Sequence, residues 1–213
     1  MRAAGCAASG AISEKASSAT RRSSGADLGL LLVVAGPSGV GKGTIVGELV
    51  ARDPSLWLSV SATTRPPRPG EHDGVEYRFL DRDAFLALRD AGGLLEWFEV
   101  YGDLYGTPRG ALEEHLDHGD DVVLEIDVQG ALAVREVFPG AVLVFVRPPS
   151  REEQRRRLLA RGVDEPAEIA RRLAAAEAEE ARMDEFDAVV VNDDVGTAVS
   201  EVAGILRVRR KVH

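Results

Sequence analysis

Four apolar runs, one of them interrupted by a single glutamate and all separated by helix-type segments, constrain this chain more than any other feature. They lie at residues 30–35, 122–126, 142–146 and 188–191. A run of that length without alternation suits a strand buried on both faces, and such strands build parallel sheets sandwiched between helices. Helical segments are expected after the glycine-rich stretch at 36–41 through about Arg52, after a cap at Asp81 with Phe85, Leu86 and Leu88 apolar, at 108–118 behind a first-turn proline, over 150–185 with a break at 162–166, and at 197–208. Shorter strands are expected at 57–61, 75–80 and 94–101. The fold class is therefore α/β, with a parallel sheet core flanked by helices.

The 213 residues suffice for a substantial core, and 45% hydrophobic with 29% charged residues is a globular composition. Net charge is −9, which argues against a protein that coats nucleic acid, since that needs a broad basic surface. It does not exclude a small phosphorylated ligand, which needs only a local basic cluster. The single Cys6 excludes an internal disulfide framework, and His72, His115, His118 and His213 show no metal-ligand spacing. His115 and His118 are expected to be exposed. No stretch is long and apolar enough to span a bilayer. Residues 1–28 are rich in Ala, Ser and Gly without apolar periodicity, and are expected to form a disordered extension with no secretory h-region.

Gly36-Pro37-Ser38-Gly39-Val40-Gly41-Lys42 follows the first apolar strand and opens a helix. That is the context of a phosphate-binding loop. The glycines let the backbone curl so that several N–H groups converge on one anion, and the helix start adds its dipole and unpaired N–H groups. Lys42 reaches the β- and γ-phosphates as a point charge. The usual pattern then has Ser or Thr, whose hydroxyl ligates Mg²⁺. Here Gly43 stands there and Thr44 follows, a Gly-Lys-Gly-Thr form that resembles adenylate kinases and some other nucleoside monophosphate kinases. A second acidic element fits such a loop. The apolar strand at 122–126 ends in Glu125 and Asp127, and ligands of open α/β sheets bind at the carboxyl ends of strands. Either carboxylate suits a magnesium ion held through water, or a substrate hydroxyl.

Residues 59–71 read Ser-Val-Ser-Ala-Thr-Thr-Arg-Pro-Pro-Arg-Pro-Gly-Glu. Arg65 and Arg68, three apart in a proline-stiffened loop, make a preorganised clamp for a phosphate. The stretch resembles the guanylate kinase signature S-x-S-x-T-T-R-x-x-R-x-G-E. The resemblance continues through Asp73-Gly74-Val75-Glu76-Tyr77-Arg78-Phe79, Glu96-Trp97, Tyr105-Gly106-Thr107, Asp127-Val128-Gln129-Gly130, Arg161-Gly162 and Val191-Asn192-Asp193-Asp194, in the family's order and over roughly residues 29–210.

That resemblance implies transfer of the γ-phosphoryl group of ATP to GMP, giving ADP and GDP, with Mg²⁺ as cofactor. It implies a GMP site lined by Ser61, Arg65, Arg68, Tyr77, Glu96, Tyr105, Thr107 and Asp127, with an ATP site on residues 36–44 and Asn192 near the adenine. Guanine presents two adjacent donors beside the O6 acceptor. One ionised carboxylate, Glu96, can accept both donors, while the Ser61 and Thr107 hydroxyls can meet O6. Adenine lacks the donor pair and would leave the carboxylate unpaired.

Arg147, Arg151, Arg155, Arg156, Arg157 and Arg161 crowd one stretch. In similar kinases this region is a lid that brings arginines to the transferring phosphoryl group, where positive charge is the main requirement. Arg157, Arg161 and Arg172 are assigned that role beside Lys42 and Arg65. Arg151, Arg155 and Arg156 are read as solvated, with Glu152, Glu153 and the acids of 177–180 as partners. Thr44, Glu125 and Asp127 are the magnesium candidates. The implied layout is a core (29–61, 109–150 and 169–210), a GMP-binding insert (62–108) and a lid (151–168). The expected location is the cytoplasm, with small-molecule partners, no nucleic acid and no membrane, as monomer or homodimer. A kinase of another phosphate acceptor, such as a ribose bisphosphate, is disfavoured by Ser61, Glu96 and Thr107. A binding module without catalysis is disfavoured by the intact Gly41-Lys42.

Overall fold

The computed structural model describes residues 28–212 except 101, 161, 163 and 164. The expected extension at 1–28 therefore lies almost wholly outside the described residues, as does Arg161. In chain order the first elements are β1 (Leu31–Ala35), α1 (Lys42–Arg52), β2 (Leu56–Leu58), β3 (Ala62–Thr63), β4 (Arg78–Phe79), α2 (Arg82–Asp90), β5 (Leu94–Val100), β6 (Asp103–Pro108) and α3 (Arg109–Asp117). There follow β7 (Asp121–Glu125), α4 (Val128–Val137), β8 (Val142–Arg147), α5 (Arg151–Ala160), α6 (Pro166–Glu180), β9 (Ala188–Val191) and α7 (Val195–Arg210).

The four apolar runs become β1, β7, β8 and β9, joined by the short β2 in one sheet of order β2-β7-β1-β8-β9. All its pairings are parallel. The unbroken apolar character of β1 has a direct cause. Leu32 and Val34 point into a cluster with Ile45, Val46 and Leu49 of α1 and Val199, Val202 and Leu206 of α7. Leu31, Val33 and Ala35 point into the opposite cluster with Leu112 and Leu116 of α3 and Ala131 and Val134 of α4. Successive side chains face opposite ways, so a strand covered on both sides must be apolar throughout. Each fully buried Leu or Val contributes about 1.5–3 kcal/mol relative to exposure.

A second sheet, β4-β3-β6-β5, carries residues 62–108. It packs on α2 through Phe85, Ala62, Leu94 and Leu104. Asp81 caps α2 as expected, its side chain accepting from Ala84 N at 2.7 Å. Such a cap contributes about 1 kcal/mol.

Three local expectations change. The strand expected at 75–80 shrinks to Arg78–Phe79, because Gly74 at φ 79° turns the chain and its N–H donates to Tyr77 O at 2.8 Å. The strand expected at 57–61 ends at Leu58, after which the chain crosses to the second sheet. The helix expected from Pro108 starts at Arg109, because Pro108 ends β6.

Candidate functional site

A cleft opens at the carboxyl ends of β1 and β7. Its lining comes from the loop between β1 and α1, from the second sheet, and from α6. The loop is shaped by glycine at two places. A Cβ on Gly36 would lie 2.1 Å from the Val146 carbonyl oxygen. Gly41 sits at φ 92°, where other residues are strained, and immediately precedes α1. Lys42 opens the helix and folds back over the loop, donating to Gly36 O at 2.7 Å and Pro37 O at 3.1 Å. The ammonium thus stands over the loop mouth.

N–H groups that face an anion leave carbonyls that face away, and these need partners. Gln154 Nε2 donates to Ser38 O at 2.8 Å. Asn192 Nδ2 donates to Val40 O at 2.7 Å, and Arg157 Nη1 reaches the same oxygen at 3.2 Å. Arg157 also donates to Asn192 O at 2.9 Å and to Glu153 at 2.7 Å. Arg157 and Asn192 therefore brace the outside of the loop. Asn192 is only 1% exposed and neither residue lines the cleft. Arg172 does line it, donating to Ser38 Oγ at 3.0 Å and to Glu168 at 3.1 Å. Of the loop residues, Gly36, Ser38, Gly39, Gly41, Lys42 and Gly43 face the cleft; Pro37, Val40 and Thr44 do not.

Glu125 ends β7 beside Gly43. A Cβ there would press on the Glu125 carboxylate at 3.3–3.4 Å. This gives Gly43 a steric reason: the carboxylate sits where a Ser or Thr side chain would begin. Asp127 caps α4, its Oδ1 accepting from Gly130 N at 2.7 Å. Both carboxylates line the cleft. No cluster of three or more His, Cys, Asp or Glu with metal-binding geometry exists among the described residues.

The second sheet contributes Ser61, Arg65, Arg68, Tyr77, Glu96, Phe98 and Tyr105 to the same cleft. Arg65 lies over the Tyr77 ring at 5.4 Å, and Tyr77 meets Tyr105 edge-on at 6.0 Å. Burial, reinforced by the negative charge of Glu125, pushes the Tyr77 hydroxyl up to about 12, so it stays a hydrogen-bond donor. Thr107 is fully buried, and its hydroxyl donates to Glu96 Oε1 at 2.6 Å. Thr107 thus acts on the site through Glu96 and is not itself on the cleft wall. Burial pushes the Glu96 carboxyl up to about 7; the Thr107 bond opposes that and the charge of Asp127 adds to it.

Sequence reasoning passed over several contributors. The motif gives Glu71 no role. Gln154 was one polar residue in a polar helix. The sequence reads Glu179 as one of the solvated acids of 177–180; Glu180 does pair with Arg151 at 2.9 Å, but Glu179 lines the cleft, where burial raises its carboxyl and Lys42 partly offsets this. Only the helical spacing of Glu179 with Arg172 and Ala175 could have signalled that face. Arg155 and Arg156 are exposed as expected. His118 is exposed too, whereas His115 is half-buried and stacks on Trp57 at 4.2 Å.

A parallel sheet flanked by helices, with a Gly-rich loop and lysine at the end of its central strand, defines a P-loop kinase. The guanylate kinase family model matches residues 29–209. The chain is 53% identical to a guanylate kinase of Alkalilimnicola ehrlichii over 182 residues, covering 85% of this chain and 90% of that one. It is 54% identical to one of Symbiobacterium thermophilum, covering 84% of each chain. A crystal structure of guanylate kinase from Anaplasma phagocytophilum superposes with a TM-score of 0.73 at 37% identity, covering 85% of this chain and 86% of that one. The chain belongs to the guanylate kinase family.

Proposed function

We propose that the cleft holds ATP on the loop side and GMP on the side of the second sheet, with the γ-phosphoryl group passing between them. The activity, ATP-dependent phosphorylation of GMP to GDP, follows from family membership. The residue assignments are supported by the arrangement of the cleft. A half-buried carboxylate, Glu96, shares one cavity with Lys42 and is steadied by a buried hydroxyl. That observation carries the reading, since a carboxylate in such a place needs a ligand with paired donors, and guanine N1–H and N2–H₂ supply them.

Arg65, Arg68 and the Tyr77 and Tyr105 hydroxyls converge on the GMP phosphate, and Ser61 meets the base. Lys42, the loop N–H groups and Arg172 hold the phosphates of ATP. An oxygen of the GMP phosphate attacks the γ-phosphorus and ADP leaves, so no side chain need act as nucleophile. Charge spread over the transferring oxygens is met by Lys42, Arg172 and Arg65. Arg157 and Asn192 serve the ATP side at least by bracing the loop, and Arg161 is assigned to the transferring phosphoryl group. The insert (62–108) and lid (151–168) close to exclude water, which otherwise competes as acceptor.

The residues present fit magnesium. Glu125 and Asp127 are hard oxygen donors at the loop, and two carboxylates suit an ion that keeps several waters and takes its other ligands from phosphates. Thr44 is exposed and off the cleft wall, which favours the carboxylates. The ion, when bound, neutralises charge on the β- and γ-oxygens. A cytoplasmic location accords with this metabolite chemistry.

The pH dependence of GMP binding tests the reading. With its carboxyl near 7 in the empty site, Glu96 is mostly protonated at pH 6 and cannot accept both guanine donors. KM for GMP should fall by up to about tenfold between pH 6 and pH 8 and then level, since one unit below its pKa about a tenth of an acid is ionised. Glu96→Gln should lose this component. A KM for GMP that does not change with pH contradicts the assignment.

A further inference from the structure

The loop that carries Arg65 and Arg68 ends on Glu71, the last residue of the motif and the only charged one there without a function in the account above. Its carboxylate accepts from Arg65 Nη2 at 2.9 Å and from the Arg68 backbone N–H at 2.7 Å. The two side chains of the ion pair are only 12% and 17% exposed. Glu71 N in turn donates to Arg68 O at 3.0 Å, closing a turn in which Gly70 sits at φ 88°. Arg65 is held at its other end as well, with Nη1 donating to Pro66 O at 2.6 Å. Burial works against the Glu71 charge, but the Arg68 amide and the Arg65 guanidinium outweigh it and hold the carboxyl below the usual range.

We propose that Glu71 is the positioning residue of the acceptor-phosphate clamp: one carboxylate fixes the Arg65 guanidinium and the Arg68 backbone relative to each other before GMP arrives. This rests on the reading that Arg65 and Arg68 hold the GMP phosphate. The two effects of Glu71 on that phosphate have opposite signs. As a nearby negative charge it repels a dianion. As a brace it saves the cost of ordering the Arg65 side chain and the turn that carries Arg68 during binding. The buried geometry, with one carboxylate bonded to both Arg65 Nη2 and the Arg68 backbone N–H, makes the brace the larger effect. A purely electrostatic neighbour would weaken GMP binding by its presence; a positioning residue strengthens it.

The experiment measures KM for GMP and for ATP, kcat and thermal midpoint for the wild type, Glu71→Gln, Glu71→Ala, Arg65→Ala and the double variant Glu71→Ala with Arg65→Ala. Glu71→Ala should raise KM for GMP about tenfold with KM for ATP within about twofold, as the Arg65 side chain is released and the turn that carries Arg68 loosens. Glu71→Gln keeps the volume and one acceptor and should raise it severalfold, so it carries the test if the alanine variant folds poorly. The double variant should be worse than Arg65→Ala alone by clearly less than Glu71→Ala costs the wild type, because the part of the brace that acts through Arg65 is already lost and only the part through the Arg68 backbone remains. A KM for GMP that is unchanged or lower in Glu71→Gln overturns the proposal, as does full additivity in the double variant. If Arg65→Ala itself leaves KM for GMP unchanged, the clamp reading fails instead.

Discussion

Lys42→Ala is expected to lower kcat by on the order of 10³-fold, about 4 kcal/mol of transition-state stabilisation. The argument is positional. Lys42 is one of three lysines in the chain, with Lys15 and Lys211 the others, and it stands over the loop mouth, bonded to Gly36 O and Pro37 O. These bonds hold the ammonium over the loop proposed to cradle the phosphates of ATP, and charge on those oxygens grows as the phosphoryl group transfers. Both of these bonds are made to the loop on the ATP side of the cleft. GMP affinity, measured by calorimetry without ATP, should therefore stay within about twofold, as expected for independent sites. Equal loss of GMP binding and turnover would show that the lysine serves the acceptor side.

Glu96→Gln should have the second large effect, with opposite signs on function and stability. An amide offers one acceptor and one donor where guanine presents two donors, so kcat/KM for GMP should fall by roughly 10²–10⁴-fold. Folding should gain. The Glu96 carboxyl sits near 7 in the folded chain against an ordinary 4.5. A raised carboxyl means that the ionised group disfavours the folded state. The cost begins as pH rises past the unfolded value, grows up to about 7 and is constant above it. Because the side chain is only half-buried, solvent screening reduces the benefit of removing the charge to about 1 kcal/mol at pH 8. That corresponds to a rise of about 2–4 °C in Tm for a domain of this size. At pH 5 the gain should nearly vanish. A variant that loses GMP turnover and also melts lower at pH 8 would mean that Glu96 is a structural residue. A site that sacrifices stability for recognition is a common pattern.

The parts of the fold that were legible in the sequence share one physical property. β1, β7 and β8 are apolar because both of their faces are covered, whereas β9, at the sheet edge, buries Val190 and leaves Val189 and Val191 exposed; composition alone identifies all four as strands. β6 was not legible. Asp103-Leu104-Tyr105-Gly106-Thr107-Pro108 becomes a strand because β3 and β5 pair with it on either side. Gly106, poor in strand propensity, is needed there: a Cβ would come within 2.9 Å of the Glu96 carbonyl oxygen. α4 was missed for a different reason. Asp127 reads as a ligand carboxylate, yet it is also the cap that starts the helix.

The site was legible wherever residues of one chemistry stand close together in the chain, as with the loop and the Arg65–Arg68 pair. Relations between distant positions were not. Gln154 reaches Ser38 across 116 residues, Asn192 reaches Val40 across 152, and no local spacing encodes either contact. The same holds for the bond that the Thr107 hydroxyl donates to Glu96, which the reading of Thr107 as a base contact does not foresee.

The central claim is that a carboxylate in the cleft selects guanine. The most direct measurement compares initial rates of ADP formation by the wild-type chain with ATP and either GMP or AMP as acceptor, at pH 8 and with magnesium present. AMP carries the same phosphate for the arginine clamp but offers no paired donors to Glu96. The ratio of kcat/KM for GMP to that for AMP should reach about 10⁴ or more, the scale on which a site left with an unpaired buried group rejects an analogue. A ratio near one would contradict the account.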